Sequence, residues 1–108
     1  MLRGQLYWVN LTDAHPPEMG KVRPAIIVSN TEQNQILESV VVVPLSTQPG
    51  EIWPLRVSLA TAVSPKESFA VVPGLRQVSK SRLVKQGGLL PAHLLGRLTS
   101  AVTDYLTD

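Results

Sequence analysis

Cysteine is absent from the whole chain of 108 residues, which removes disulfide bridges and thiolate chemistry from the possible functions. Histidine is scarce: His15 and His93 lie far apart in sequence, so no structural metal centre and no cofactor is expected. Aromatic residues reach only 5%, which makes each of Trp8 and Trp53 worth locating. The pure apolar run Val40 to Val43 is far too short to span a bilayer, and no basic-then-apolar leader precedes the first strand signal. A soluble, cytoplasmic protein with no membrane association is the expectation. Acidic residues are missing from Ser68 to Thr103, the stretch that holds Arg76, Lys80, Arg82, Lys85 and Arg97. The net charge of +2 therefore hides a positive flank suited to a polyanion such as RNA, or to an acidic protein segment.

What the chain does contain is apolar patterning at strand spacing. With 44% hydrophobic and 17% charged residues in 108, one globular domain spanning 1–108 is expected. Gln5 to Leu11 reads as a first strand, and Thr12 to Val22, with Asp13, Pro16, Pro17 and Gly20, as a long excursion of the kind that carries function. Pro24 sets the start of a second strand, Ala25 to Ser29, whose unbroken apolar character implies burial on both faces. Asn30-Thr31-Glu32 supplies cap chemistry for a helical turn through Asn34, before a third strand from Glu38 to Leu45.

Gln48-Pro49-Gly50 marks a loop, and Leu55, Val57 and Leu59 alternate as a strand. Short strands are expected at Phe69 to Val72, at Arg76 to Val78 and near Val84. After Pro91 in a first-turn position, Leu94, Leu98, Ala101, Val102 and Tyr105 repeat at helical spacing. Short strands at this spacing, closed by one amphipathic helix, predict a mainly β, strongly bent antiparallel barrel with a C-terminal helix.

Two features point to chemistry. Arg23 places a permanent cation at the lip of a buried strand after a flexible loop, and Ser46, Thr47 and Gln48 present polar side chains where another apolar strand stops. A guanidinium and a hydroxyl sharing one mouth can hold a phosphodiester. Each has a plainer role as well, Arg23 as a surface cation and Ser46-Thr47 as ordinary turn residues.

Four segments, in this order, carry a resemblance: Arg3-Gly4-Gln5-Leu6-Tyr7-Trp8-Val9; Gly20-Lys21-Val22-Arg23-Pro24-Ala25 through Ser29-Asn30; Val41-Val42-Val43-Pro44-Leu45-Ser46; and Leu75-Arg76-Gln77-Val78-Ser79-Lys80-Ser81-Arg82-Leu83. Together they resemble the MazF/PemK toxins of bacterial toxin–antitoxin systems from Arg3 to Leu106. The resemblance implies an SH3-like barrel of the CcdB/PemK type, a homodimer, metal-independent cleavage of single-stranded RNA at short sequences, and a cognate antitoxin laid over the basic groove. It also implies that Arg23 and Ser46 form the catalytic pair, with serine in place of the family's threonine. Pro73-Gly74 stands where relatives carry an acidic residue and a glutamine, a departure that bears on base recognition.

RNA carries its own nucleophile, the 2′-hydroxyl, so the protein has to align it, accept its proton and stabilise the charge that develops on phosphorus. Arg23 suits the electrostatic part, because a guanidinium scarcely gives up its proton. Proton transfer falls to Glu18 or His15 in the preceding loop, or to water. Thr47, Gln48, Trp53, Arg76, Lys80 and Arg82 are the candidate RNA-binding residues, Trp53 by stacking and the cations along the phosphate backbone. Two other readings stand beside this one: a CcdB-like toxin that binds a protein target without catalysis, and an RNA-binding module without turnover. The chain's end, Tyr105-Leu106-Thr107-Asp108, lacks the tryptophan-containing tail on which CcdB-like action depends.

Overall fold

Runs of alternating or continuous apolar residues become seven strands, and two polar–apolar stretches become α-helices, in the computed structural model, which describes residues 1–13, 15–18 and 20–108. The strands are β1 (Gln5–Asn10), β2 (Val22–Ile27), β3 (Ser39–Ser46), β4 (Arg56–Ser58), β5 (Phe69–Val71), β6 (Arg76–Ser79) and β7 (Leu83–Leu89). The helices are α1 (Thr31–Ile36) and α2 (Ala92–Leu106). Tight 3-10 turns at Val72–Gly74 and Lys80–Arg82 connect β5 to β6 and β6 to β7. The expected excursion lies between β1 and β2, and two of its residues, Ala14 and Met19, lie outside the described residues. None of the described helices is long and apolar enough to cross a membrane.

Every strand pairing is antiparallel, in the order β4-β5-β3-β2-β1-β7, with β6 added to β3. β3 is the hub. One edge pairs with β2 from Ala25↔Pro44 to Ile27↔Val42. The other is divided: Ser39 to Val42 pair with β6, and Leu45 and Ser46 pair with β5. β3 therefore changes partner along this edge, from β6 to β5. Among the described residues, no pairing joins β7 back to the far end, so the expected barrel is an unclosed one.

The continuous apolar runs are buried on both faces because successive side chains point opposite ways. Ile26, Val43 and Leu45 join Val57, Leu59, Val72 and the α2 residues Leu98 and Ala101 in one cluster. Ala25, Ile27, Val40 and Val42 join Val9, Leu11 and Val78 in a second. Fully burying each such Val, Leu or Ile side chain contributes about 1.5–3 kcal/mol. Leu94 and Val102 pack against the first cluster as the helical spacing predicts, but Tyr105, on the same expected stripe, is exposed.

Boundaries shift where backbone chemistry overrides side-chain pattern. β2 begins at Val22, taking in Arg23 and Pro24, because β1 continues the ladder to Asn10↔Val22 and a proline's fixed φ tolerates an extended strand. α1 extends to Ile36, beyond the expected turn, after the Asn30 side chain caps it by accepting from the amides of Glu32 (2.9 Å) and Gln33 (3.1 Å). β7 is seven residues long where only a short strand near Val84 is expected. Its Gly87 lies so close to β1 that a Cβ there would come within 2.7 Å of Leu6 Cδ2. The glycine serves the close apposition of β7 and β1.

Candidate active site

Pro24 and Pro44 both lack an amide hydrogen, and they fall at the same end of the β2–β3 ladder. Beyond Ala25↔Pro44 no further pair joins the two strands among the described residues, since β3 turns away to β5. The resulting gap is a depression of about 430 Å³. β1 and β2 contribute Leu6, Trp8, Arg23 and Pro24 to it; the end of β3 contributes Leu45, Ser46 and Thr47. Val63, Ser64 and Ser68 line it from the β4–β5 loop.

Arg23 and Ser46 each lie two residues past the Ala25↔Pro44 pair, one on either strand, so the register sets them opposite each other across the gap. Their hydrogen-bonding capacity is only partly used. Arg23 Nε donates to the Gly20 carbonyl at 2.9 Å, which aims the guanidinium; among the described residues neither terminal nitrogen makes a hydrogen bond. Among the described residues no carboxylate forms a salt bridge with it. Ser46 Oγ accepts from the Gln48 amide at 3.1 Å, which leaves its hydroxyl hydrogen to be donated. Thr47 and Gln48 are exposed beside it.

Arg56, which sequence reasoning passes over, organises this lip. Its guanidinium donates to the carbonyls of Gln48 and, at 3.1 Å, of Gly50, and lies 5.4 Å from the Phe69 ring centroid. Its position among alternating apolar residues reads only as an outward strand cation. Lys21 also borders the depression and is likewise missed. It adopts φ 70°, in the left-handed region, with its carbonyl held by the Leu11 amide at 2.7 Å.

A second depression, of about 260 Å³, lies across Pro44 and is bordered by Leu11, Glu18, Pro73, Gly74 and Arg76. The fold thus brings the family departure Pro73-Gly74 to a cavity wall. Glu18 Oε1 accepts from the His15 amide at 3.1 Å, while the Glu18 amide donates to the His15 carbonyl at 2.7 Å. His15 itself borders neither depression.

The positive flank is partly answered from within. Asp13, in the β1–β2 loop, meets Arg82 Nη1 at 2.9 Å and Arg76 Nη2 at 3.5 Å. Partial desolvation pushes the Asp13 carboxyl up, but the charges of Arg82 and Arg76 and the Arg76 hydrogen bond outweigh it and hold the group below its usual range. Lys80, on the 3-10 turn, borders neither depression. Trp53 lies apart from Arg23: its indole Nε1 donates to Asp104 at 2.9 Å and Arg97 covers its ring at 5.3 Å. Among the described residues, no three or more His, Cys, Asp or Glu side chains converge.

The family model for "PemK-like, MazF-like toxin of type II toxin-antitoxin system" matches residues 2–106, essentially the whole fold with both depressions. The chain belongs to this family. It is similar to Endoribonuclease MazF9 of Mycobacterium tuberculosis, with 26% identity over 113 aligned positions that cover 98% of this chain and 96% of the relative. A crystal structure of MazF from Deinococcus radiodurans superposes with a TM-score of 0.84 at 22% identity, covering 98% of this chain and 96% of that one. An endoribonuclease in complex with its cognate antitoxin, from a mycobacterial species, gives 0.81 at 24% identity, with coverages of 98% and 94%. At these identities the superpositions establish a shared MazF fold: a mostly antiparallel β architecture with a C-terminal helix.

Proposed function

We propose that this MazF-like toxin is a sequence-specific endoribonuclease that cuts single-stranded RNA without a metal ion, by attack of the 2′-hydroxyl on the adjacent phosphodiester. The observation that carries the reading is that Arg23 and Ser46 line one depression beyond the last β2–β3 pair, each with donors unused among the described residues. The endoribonuclease name of the mycobacterial relative supports it. In this mechanism the 2′-oxygen forms a bond to phosphorus and the bond to the 5′-oxygen breaks. The products are a 2′,3′-cyclic phosphate and a 5′-hydroxyl.

Arg23 binds the nonbridging oxygens through parallel hydrogen bonds and stabilises the added charge. Ser46 donates a second, neutral hydrogen bond. Glu18 and His15 are the candidate proton acceptors; Glu18 borders the second depression and His15 neither one. Thr47 and Gln48 hold the strand beside the scissile phosphate. Arg76, Lys80 and Arg82 follow the backbone, and for stacking Trp53 is left only the ring face that Arg97 does not cover.

The partners that complete this reading are a second copy of the chain, giving a homodimer, and a cognate antitoxin, supported by the antitoxin complex of a structural relative. The substrate is cytoplasmic RNA. Incubating the purified protein with RNA in EDTA and analysing the ends tests the proposal. Cyclic phosphate and 5′-hydroxyl termini are expected, and 5′-phosphate termini, or cleavage that requires added metal, would overturn the chemistry. Binding without any cleavage would leave an RNA-binding module.

A further inference from the structure

The contact between the β1–β2 loop and the β6–β7 corner joins one carboxylate to two guanidinium groups from different segments. Asp13 offers Oδ1 to Arg82 and Oδ2 to Arg76, so each oxygen meets its own arginine. A nucleic-acid phosphodiester has the same presentation: one negative charge shared by two nonbridging oxygens. Arg82 is further held by the Asn10 carbonyl, 3.2 Å from Nη1, so its position does not depend on Asp13 alone. All three side chains remain partly accessible, at 27% for Arg76, 33% for Arg82 and 46% for Asp13, so another anion can reach the pair. Arg76 also borders the depression lined by Glu18 and Pro44, next along β3 from the Leu45 and Ser46 that line the depression holding Arg23.

We propose that Arg76 and Arg82 form a phosphate subsite that Asp13 occupies in the free protein, and that a backbone phosphate of the RNA exchanges for this carboxylate. This rests on the reading of the depressions as an RNA site. The exchange conserves charge, because one anion leaves as another enters. The free energy of the internal ion pair opposes binding, so apparent affinity falls by the fraction of molecules in which the pair is open.

The test measures binding of a short mixed-sequence RNA carrying 2′-fluoro groups, which cannot attack phosphorus, to wild type, Asp13→Asn and Glu32→Gln. Glu32 is an exposed acid at the start of α1 and controls for net charge. Asp13→Asn should bind about two- to fivefold tighter, the range for releasing one exposed ion pair, while Glu32→Gln stays at the wild-type value. Asp13→Ser, read in the same assay, guards against a folding defect peculiar to asparagine. In an Arg76→Gln, Arg82→Gln background the gain should vanish.

Equal affinity of Asp13→Asn and wild type, or an equal gain in Glu32→Gln, would overturn the subsite. So would tighter binding of an acidic peptide with no change for RNA, which would assign the arginine pair to a protein partner. Cleavage of unmodified RNA by the wild type, followed in parallel, judges the catalytic reading separately.

Discussion

Arg23 and Arg97 are both half-buried arginines, and the contrast between their surroundings separates a guanidinium that holds the fold together from one offered to a ligand. Arg97 meets both carboxylate oxygens of Glu51, with Nη2 at 2.9 Å from Oε2, reaches the Ser58 carbonyl and covers the Trp53 ring. Its donors end on the protein, and the corner they build ties α2 to the loop before β4. Arg23 spends one donor on a backbone carbonyl and faces a cavity with the rest. On the proposed reading, the donors of Arg23 that are not bonded to described residues stay hydrated in the free protein and are the ones that meet the phosphate.

The largest test of this contrast is Arg23→Ala. Losing the charged donor should lower RNA cleavage by about a hundredfold or more, equivalent to about 3 kcal/mol, with little change in thermal stability. Arg97→Ala should do the reverse, and a large cleavage loss in Arg97→Ala with none in Arg23→Ala would invert the assignment. Next comes Ser46→Ala, which removes a neutral donor and should slow cleavage by about tenfold or less. Ser46→Thr, which restores the family's residue, should keep activity.

A smaller effect sharpens the structural side. Hydrogen bonds from Arg97 and the Ser58 amide, with the Arg97 charge behind them, hold the Glu51 carboxyl at about 2, below its ordinary value of 4.5. A depressed carboxylate pKa adds stability that is fully present above the unfolded value and is lost as pH falls through the folded one. The Glu51–Arg97 contribution should therefore disappear between about pH 4.5 and pH 2. Thermal melts of wild type and Glu51→Gln should converge at the low end of that window. The pair is more than a third exposed, so the difference at neutral pH should be about 1 kcal/mol or less. Smallest of all, Lys21→Gly should relieve the left-handed backbone at the lip and slightly raise the melting temperature, while the loss of a cation beside the site weakens RNA binding.

Much of the fold was legible because it depends on local pattern. Ala25 to Val28 and Val40 to Val43 are continuous apolar runs and became the strands buried on both faces; Asn30 announced its own cap; the spacing of Leu94, Leu98 and Ala101 marked the face of α2. β7 was hard to read because Lys85, Gln86, Gly87 and Gly88 carry no alternation, and the strand exists through its pairing with β1. Arg23 and Ser46 were legible as individual residues, and the family resemblance named them together. Trp53, singled out for stacking, proved to be engaged by Asp104 and Arg97, partners distant in sequence that no local signal indicates.

The sequence by itself determined which segments extend or coil, the positive flank and the residue types able to hold a phosphodiester, because these follow from side-chain period, formal charge and functional group. Only the tertiary structure decided that β3 changes partners after Pro44, that the gap so opened has Arg23 on one lip and Ser46 on the other, and that Asp13 folds back onto Arg76 and Arg82. The physical reason is that strand register and ion pairing between distant residues depend on which edges and charges remain unsatisfied once the core has packed.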